Sequence, residues 1–172
     1  MVERWPSRSE VAGSSPAPRS AFLSPPTADM PIRFYTTSVD AEKTAREMQQ
    51  ILAQSDARRV AMDYDAEGRP TALQFVLQLG GRPLPFRIEP DVAGMKRALN
   101  EDEDTPGEFD LEQARRVAWR IWKAWMNSVL AFRKTRQAQL DQLLLGFGVT
   151  QDGRTVHERL LDDRKLLDAP SK

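Results

Sequence analysis

The sequence predicts an α+β fold in which helices, one of them long and rich in tryptophan, cover a small antiparallel sheet. Apolar and polar residues alternate through 71–79 and 84–88, and the pair Gly80 and Gly81 between them is typical of a tight hairpin. Apolar residues recur at helical spacing over 110–145. An antiparallel meander that is polar on its outer face has to bury its inner face under helices.

Length and composition limit the classes of protein to consider. The chain has 172 residues, enough for one domain with a real core, and its 25 Lys and Arg residues equal its 25 Asp and Glu residues. A net charge of zero provides no global field towards nucleic acid or acidic lipid, so any such preference has to come from local segregation of charge. The absence of cysteine excludes disulfides, thiolate metal sites and thiol catalysis. No apolar run approaches the roughly 18 residues of a membrane span, so we expect a soluble cytoplasmic protein without a membrane partner.

The first 30 residues are rich in proline and serine and lack a periodic apolar pattern, which predicts a disordered tail. Residues 13–16 are a peptide that the T-arm consensus of a transfer RNA gene encodes, and residues 1–29 resemble such a gene translated by mistake. The hypothesis is an over-extended reading frame whose true start is Met30. The alternative is a genuine tail beginning at Met1.

The folded part begins with residues 32–37, a β-rich run that predicts a short strand. Apolar residues at helical spacing then predict an amphipathic helix over 40–54. Alternation predicts a strand over 58–64, followed by the hairpin described above. Because Pro85 has no N–H to donate to a ladder, the strand 84–88 is predicted to lie at an edge of the sheet. The sheet should therefore contain three or four strands, within an α/β-meander part spanning 31–99.

Three further segments follow the sheet. Asp91 is placed to cap a short helix, and residues 100–110 are acidic around Thr-Pro-Gly, which predicts a linker. Residues 111–168 should form the long helix and a short terminal helix, packed on the sheet as one domain. The terminal helix is expected to begin at a capping box formed by Thr155 and Glu158 and to include a pair of leucines at 166–167.

The long helix has two contrasting sides. One side is broadly apolar and is predicted to be the lid of the core; its members are Leu111, Ala114, Ala118, Ile121, Trp122, Trp125, Val129 and Phe132. The opposite side carries a cationic row bordered by an aromatic ring; the residues concerned are Arg116, Arg120, Lys123, Lys134 and Trp119. Guanidinium groups beside an aromatic edge are suited to follow a phosphate backbone and to stack a base. The first functional hypothesis is therefore a non-enzymatic accessory protein that binds nucleic acid through this row, although a solvated helix face has the same pattern.

The second functional hypothesis is a protein-interaction module, either an adaptor or a homodimer. About 36 residues at about 1.5 Å each give a helix of about 54 Å, which is longer than a small domain is wide. Either the helix kinks near residues 133–136, or its C-terminal half projects and needs a partner. In the second case Leu140, Leu143 and Leu144 are the candidate partner interface.

No residue set carries an enzymatic signature, so an enzyme, a cofactor and a metal site are not predicted. The single histidine, His157, has no metal-site partners and no nucleophile beside it, and is expected on the surface of a helix. Residues 102–107 begin like a calcium loop, but Pro106 and Gln113 occupy positions where ligands belong.

From about residue 32 to about residue 168 the chain resembles small uncharacterised proteins of bacteriophages and prophages. The likeness rests on short stretches at 62–65, 85–87, 113–119 and 152–155. The chain departs from the family pattern at 133–136, where it is basic and the family continues with acidic residues. The resemblance implies a gene of a mobile element and gives no residue a role. The tRNA-like N-terminus agrees with it, since integrating elements often insert at tRNA genes.

Overall fold

A three-stranded antiparallel sheet lies against helices in the computed structural model, which describes residues 30–55 and 57–162. The described residues from 31 onwards belong to one compact unit. In chain order the elements are α1 (Ala41–Ala53), β1 (Ala57–Tyr64), β2 (Pro70–Leu79), β3 (Arg82–Ile88), α2 (Val92–Glu101), α3 (Leu111–Lys134), α4 (Leu140–Leu144), a 3-10 turn (Leu145–Phe147) and α5 (Val156–Asp162). The fold is therefore α+β, as predicted, with a long tryptophan-bearing helix.

The sheet has the strand order β1-β2-β3, so β2 is central and β3 is an edge, as the proline at position 85 predicted. Gly80 and Gly81 close the β2–β3 hairpin with φ angles of 56° and 81°. Positive φ at both central residues is what a two-residue hairpin turn matched to the twist of the strands requires, and glycine adopts it without steric cost. This turn fixes the register in which Leu79 pairs with Arg82.

The inner face of the sheet forms the centre of the core. Leu73, Phe75 and Leu77 alternate along β2 and are all buried, and Phe75 stacks on Phe86 of β3 with ring centroids 5.5 Å apart. The α1 helix contributes its own apolar stripe to the same cluster, including the fully buried Met48. The apolar residues that recur every two positions in β2 and every 3.6 positions in α1 therefore pack in one core.

Residues 32–37 do not form the predicted strand. They make turns in which Phe34 has a φ of 67°, and the N–H of Ile32 donates to the side chain of Thr105 at 2.9 Å. The side-chain amide of Gln113 donates to the carbonyl oxygens of Tyr35 and Thr37, at 2.7 and 2.9 Å. Because side chains take up these backbone groups, the β-rich run needs no ladder partner, and the sheet has three strands among the described residues.

The acidic segment after α2 forms a loop that side-chain hydrogen bonds hold in place. Asp91 caps α2 by accepting from the N–H of Gly94 at 2.8 Å, as predicted. Asn100 then closes the loop by accepting from the N–H of Phe109 at 2.9 Å and by donating to the carbonyl of the same residue at 3.1 Å. Thr105, at the loop's centre, is 3% exposed. The loop delivers Asp110, which caps α3 by accepting from Gln113 N–H at 2.7 Å.

The single helix expected over 110–145 is wrong beyond Lys134. The α3 helix ends there, Arg136 adopts a left-handed φ of 57°, and α4 begins at Leu140. Of the two alternatives for this region, the structure has the break near 133–136 and not the projecting half helix. The break allows Leu140 and Leu144, 3% and 0% exposed, to pack in the core.

The C-terminal segment returns to the β3 edge of the sheet. The N–H of Val149 donates to the carbonyl oxygen of Pro85 at 2.8 Å. The α5 helix then begins with the predicted capping box: Thr155 Oγ1 accepts from the N–H of Glu158 at 3.2 Å, and Glu158 Oε2 accepts from the N–H of Thr155 at 2.6 Å. The bond from the Thr155 N–H, together with one that the Thr155 hydroxyl donates to the same carboxylate oxygen at 2.9 Å, lowers the pKa of Glu158. His157 is exposed on this helix, and the predicted leucines at 166–167, like residues 1–29, lie outside the described residues.

Candidate functional site

The predicted cationic row lies between α3 and α1. The two helices run parallel, because Arg116 near the start of α3 faces Asp40 and Lys123 further along faces Glu47. Lys123 makes a hydrogen-bonded ion pair with Glu47, and Arg120 lies 3.7 Å from the same carboxylate. The side chains of Arg116, Arg120 and Lys123 are 20–31% exposed. Most of the row is therefore a partly buried seam within the protein.

Acidic groups of α1 and of α3 itself balance the charge of this seam. The hydrogen bond from Lys123, together with the nearby guanidinium of Arg120, lowers the pKa of Glu47. Arg116 lies 3.7 Å from Asp40 and 3.9 Å from Glu112. The ion pairs of the row with described residues thus come from α1, its N-cap residue Asp40 and the first turn of α3. A nucleic-acid phosphate would have to displace these carboxylates to reach the row.

Trp119, predicted to border a binding face, is instead part of the core. It is 0% exposed, and its Nε1–H donates to the carbonyl oxygen of Pro70 at 3.3 Å. Met126, two turns further along α3, is also 0% exposed, whereas Phe132, assigned to the buried side, is 47% exposed. The buried side of α3 is therefore rotated towards Trp119, and this ring is not available to stack on a base.

The remaining predicted site residues are divided between the core and the surface. Lys134 is exposed on the last turn of α3. The proposed partner interface is wrong for Leu140 and Leu144, which are buried in this chain's own core, while Leu143 is half-buried against it. These leucines therefore hold α4 to the sheet and α3, and a partner has no access to Leu140 or Leu144.

An aromatic cluster that the sequence did not single out lies at the edge of the core. Trp122 and Trp125 of α3 meet edge to face, with ring centroids 5.2 Å apart. Phe147 completes the triangle, 5.3 Å from each. All three rings are partly exposed. The non-helical residues 135–139 let the chain turn back and bring Phe147 to α3. Helical spacing alone predicts the contact between the two tryptophans, whereas the contact with Phe147 depends on the tertiary fold.

A surface hollow of about 340 Å³ opens beside this cluster. Its lining residues are Arg33, Phe34, Ile121, Ala124, Trp125 and Ser128. Phe34 lines it from a left-handed backbone position with a φ of 67°, and Arg33 lies over the Phe34 ring with its guanidinium carbon 5.1 Å from the ring centroid. One further turn along α3, the exposed ring of Phe132 extends the apolar surface. The result is an apolar hollow with a single cation among its lining residues.

No family model, no curated protein and no solved structure matches the chain. The resemblance to phage proteins and to a translated tRNA gene therefore stays a prediction. Within the described ranges 30–55 and 57–162, no helix is long and apolar enough to cross a membrane, and no group of three or more His, Asp or Glu side chains is arranged to hold a metal ion. The class of site has to be inferred from the two surface features of the chain itself, its apolar hollow and its exposed cations.

Proposed function

We propose that the protein is an interaction module that binds a short amphipathic segment of another protein in the hollow between Phe34 and α3. The observation that carries this proposal is the hollow itself, an opening of about 340 Å³ lined by Phe34, Ile121, Ala124 and Trp125. Such pockets receive the anchor side chains that dominate protein–protein binding. This proposal keeps the protein-interaction hypothesis of the sequence analysis. It places the binding surface at the middle of α3 and not at residues 140–144.

The chemistry of the lining defines the partner segment. Ile121, Ala124 and Trp125 offer no charged group, so they favour an apolar side chain as the anchor. Arg33 is exposed beside them, and a carboxylate next to the anchor would pair with it. A helix with apolar residues at i and i+4 would place its second anchor against Phe132, because that ring lies one turn from Ser128 along α3. The proposed ligand is therefore an acidic amphipathic helix.

Selection from a random peptide library, followed by affinity measurement on individual peptides, tests this proposal. We expect enriched sequences with two apolar anchors one helical turn apart and at least one Asp or Glu. Ser128→Arg should abolish their binding, because the new side chain occupies the hollow. Among the described residues, the Ser128 hydroxyl bonds only to the Ala124 carbonyl one turn back, at 3.1 Å, so the substitution breaks no hydrogen bond to another element there.

Asn127→Arg is the matched control. Asn127 is exposed, adjacent in sequence and outside the hollow, so this variant adds the same charge to the same helix. It should bind the selected peptides like the wild type. Equal binding of the peptides to Ser128→Arg and to the wild type, or failure to enrich any peptide, would refute the proposal.

A further inference from the structure

A second surface lies at the C-terminal end of α3 and is polar and basic, in contrast to the apolar hollow. A cleft of about 570 Å³ lies between the β2–β3 hairpin and the connection from α3 to α4. Its polar lining residues are Gln78, Arg133, Arg136, Gln137, Gln139 and Gln142. None of the described residues that line it is acidic. Among the described residues, the cleft therefore offers side-chain amides and the guanidinium group of Arg136 to a ligand and no carboxylate.

Two further cations are neighbours of residues that line this cleft. Lys134 is exposed and lies next to Arg133, and Arg82 is exposed directly opposite Leu79, a lining residue, in the hairpin register. Within the described part of the chain, Arg82, Lys134 and Arg136 make no ion pair. They differ in this from the seam residue Lys123, whose ammonium group is bound to Glu47. Arg82, Lys134 and Arg136 are thus available to an external anion.

The net charge of zero hides a separation of charge along the molecule. Trp119 is bonded to Pro70 at the start of β2, whereas Arg136 lines the cleft with Gly80 just beyond the end of β2. The α3 helix and β2 therefore run in the same direction. The acidic loop 102–110 precedes α3 at one end, and the basic cleft follows it at the other. Charge segregated in this way orients an approaching polyanion even when the total is zero.

We infer that this basic cleft binds the phosphate backbone of a nucleic acid without reading its sequence. At about 570 Å³ the cleft is larger than one phosphate group, and Arg136 lines it while Arg82 and Lys134 lie next to lining residues. Arginine, lysine and glutamine side chains are the ones that contact phosphate oxygens, and such contacts position a nucleic acid without specifying its bases. None of the described residues that line the cleft is aromatic, so base stacking is not part of the inference. This site is separate from the hollow at Phe34 and does not depend on the function proposed for it.

Fluorescence anisotropy with a labelled oligonucleotide, single-stranded and as a duplex, tests the inference. At low salt we expect a dissociation constant on the order of 10⁻⁴–10⁻⁶ M or tighter that weakens steeply as salt rises. Arg82→Glu with Lys134→Glu should weaken binding about tenfold or more and flatten the dependence on salt, since each lost phosphate contact lowers that slope by about one. Arg136→Gly should weaken it less, because one cation is lost without a charge reversal.

The matched control is Lys96→Glu with Arg97→Glu on α2. Both residues are exposed, and the change in net charge is the same, but α2 packs on the other half of α3 from the cleft. This control should retain wild-type affinity. No binding at low salt overturns the inference, and so does an equal loss in the control, which would indicate a nonspecific effect of total charge. Binding of heparin without binding of either oligonucleotide would also overturn it.

Discussion

The indole N–H of Trp119 in α3 donates to the carbonyl oxygen of Pro70 in β2, 3.3 Å away and out of contact with solvent. This bond fixes the helix to the beginning of the central strand, at a point where the strand leaves its turn. It also decides which of the clustered tryptophans belongs to the core. The ring that the sequence placed beside a binding face is the largest fully buried side chain among the described residues.

Trp119→Ala should lower the free energy of unfolding by about 3–5 kcal/mol, because it leaves a large cavity and an unpaired carbonyl. Urea denaturation followed by circular dichroism measures this. Phe132→Ala on the same helix is the control and should change the free energy by about 0.5 kcal/mol or less, since Phe132 is 47% exposed. A similar loss in both variants would contradict the assignment of Trp119 to the core.

Glu47→Gln should lower the free energy of unfolding at neutral pH by up to about 1 kcal/mol, since the carboxylate is partly exposed to solvent. Lys123 lowers the pKa of Glu47 in the folded state below its ordinary value of 4.5. A carboxyl whose pKa is lowered on folding contributes stability above its unfolded pKa and loses that contribution as the pH falls through its folded pKa. The difference between wild type and variant should therefore be constant near pH 7 and shrink below pH 4.5.

Chemical denaturation of both proteins across this range provides the measurement. Glu103→Gln is the control, because Glu103 is exposed and makes no ion pair with any described residue. It should show no such pH dependence. If the difference in the free energy of unfolding between Glu47→Gln and the wild type stayed the same in acid, the change of side-chain shape, and not the loss of charge, would explain it.

Thr105→Val preserves the shape of a side chain that is 3% exposed but removes its hydroxyl. That hydroxyl accepts from the N–H of Ile32 at 2.9 Å and donates to Asp102, and this second bond lowers the pKa of Asp102. We expect a loss of about 1–3 kcal/mol, the cost of leaving buried polar groups without good partners. Faster hydrogen exchange at the Ile32 amide would locate the effect. Thr36→Val, at an exposed position, should leave both stability and exchange unchanged.

Arg136→Gly should stabilise the protein by up to about 1 kcal/mol. Arg136 has a φ of 57°, a conformation that costs an ordinary side chain about 1–2 kcal/mol and that glycine adopts freely, less the entropy that glycine loses on folding. Thermal unfolding measures the change. Lys134→Gly, two residues earlier and still helical, should instead destabilise by about 1 kcal/mol. Both variants lose one positive charge, so a gain in stability for Arg136→Gly and a loss for Lys134→Gly would show that backbone strain, and not charge, explains the difference. A loss of stability in both variants would contradict strain at Arg136.

Local sequence pattern was sufficient for most of the sheet and for the first part of α3. Alternation in 71–79 and the glycines at 80–81 specify a hairpin by themselves, because side-chain period and turn geometry are local properties. The end of α3 is different. No glycine or proline marks residues 135–139, and the break there depends on Leu140 and Leu144 finding the core, which is a tertiary effect.

The binding face was misassigned for a related reason. Periodicity gives one average direction for an amphipathic helix, but α3 packs against both α1 and α2, and Trp119 reaches β2, so Trp119 and Val117 are both buried. The cationic row was correctly located on α3, yet its pairing with Glu47 depends on α1 lying parallel beside it. Acidic residues on the earlier amphipathic helix were the one available signal. The hollow at Phe34 required a left-handed residue that no sequence pattern indicated.

The prolines of β3 affect how readily this edge of the sheet can pair with a strand of another copy of the protein. Pro85 presents its carbonyl outwards to Val149, so its nitrogen, which carries no hydrogen, also faces outwards, and Pro83 two residues earlier has the same orientation. A strand from another copy that approached this edge would find two missing donors and one carbonyl already engaged. At the β3 edge, pairing with a strand of another copy, the first step towards fibrils, is therefore opposed by the covalent structure of proline.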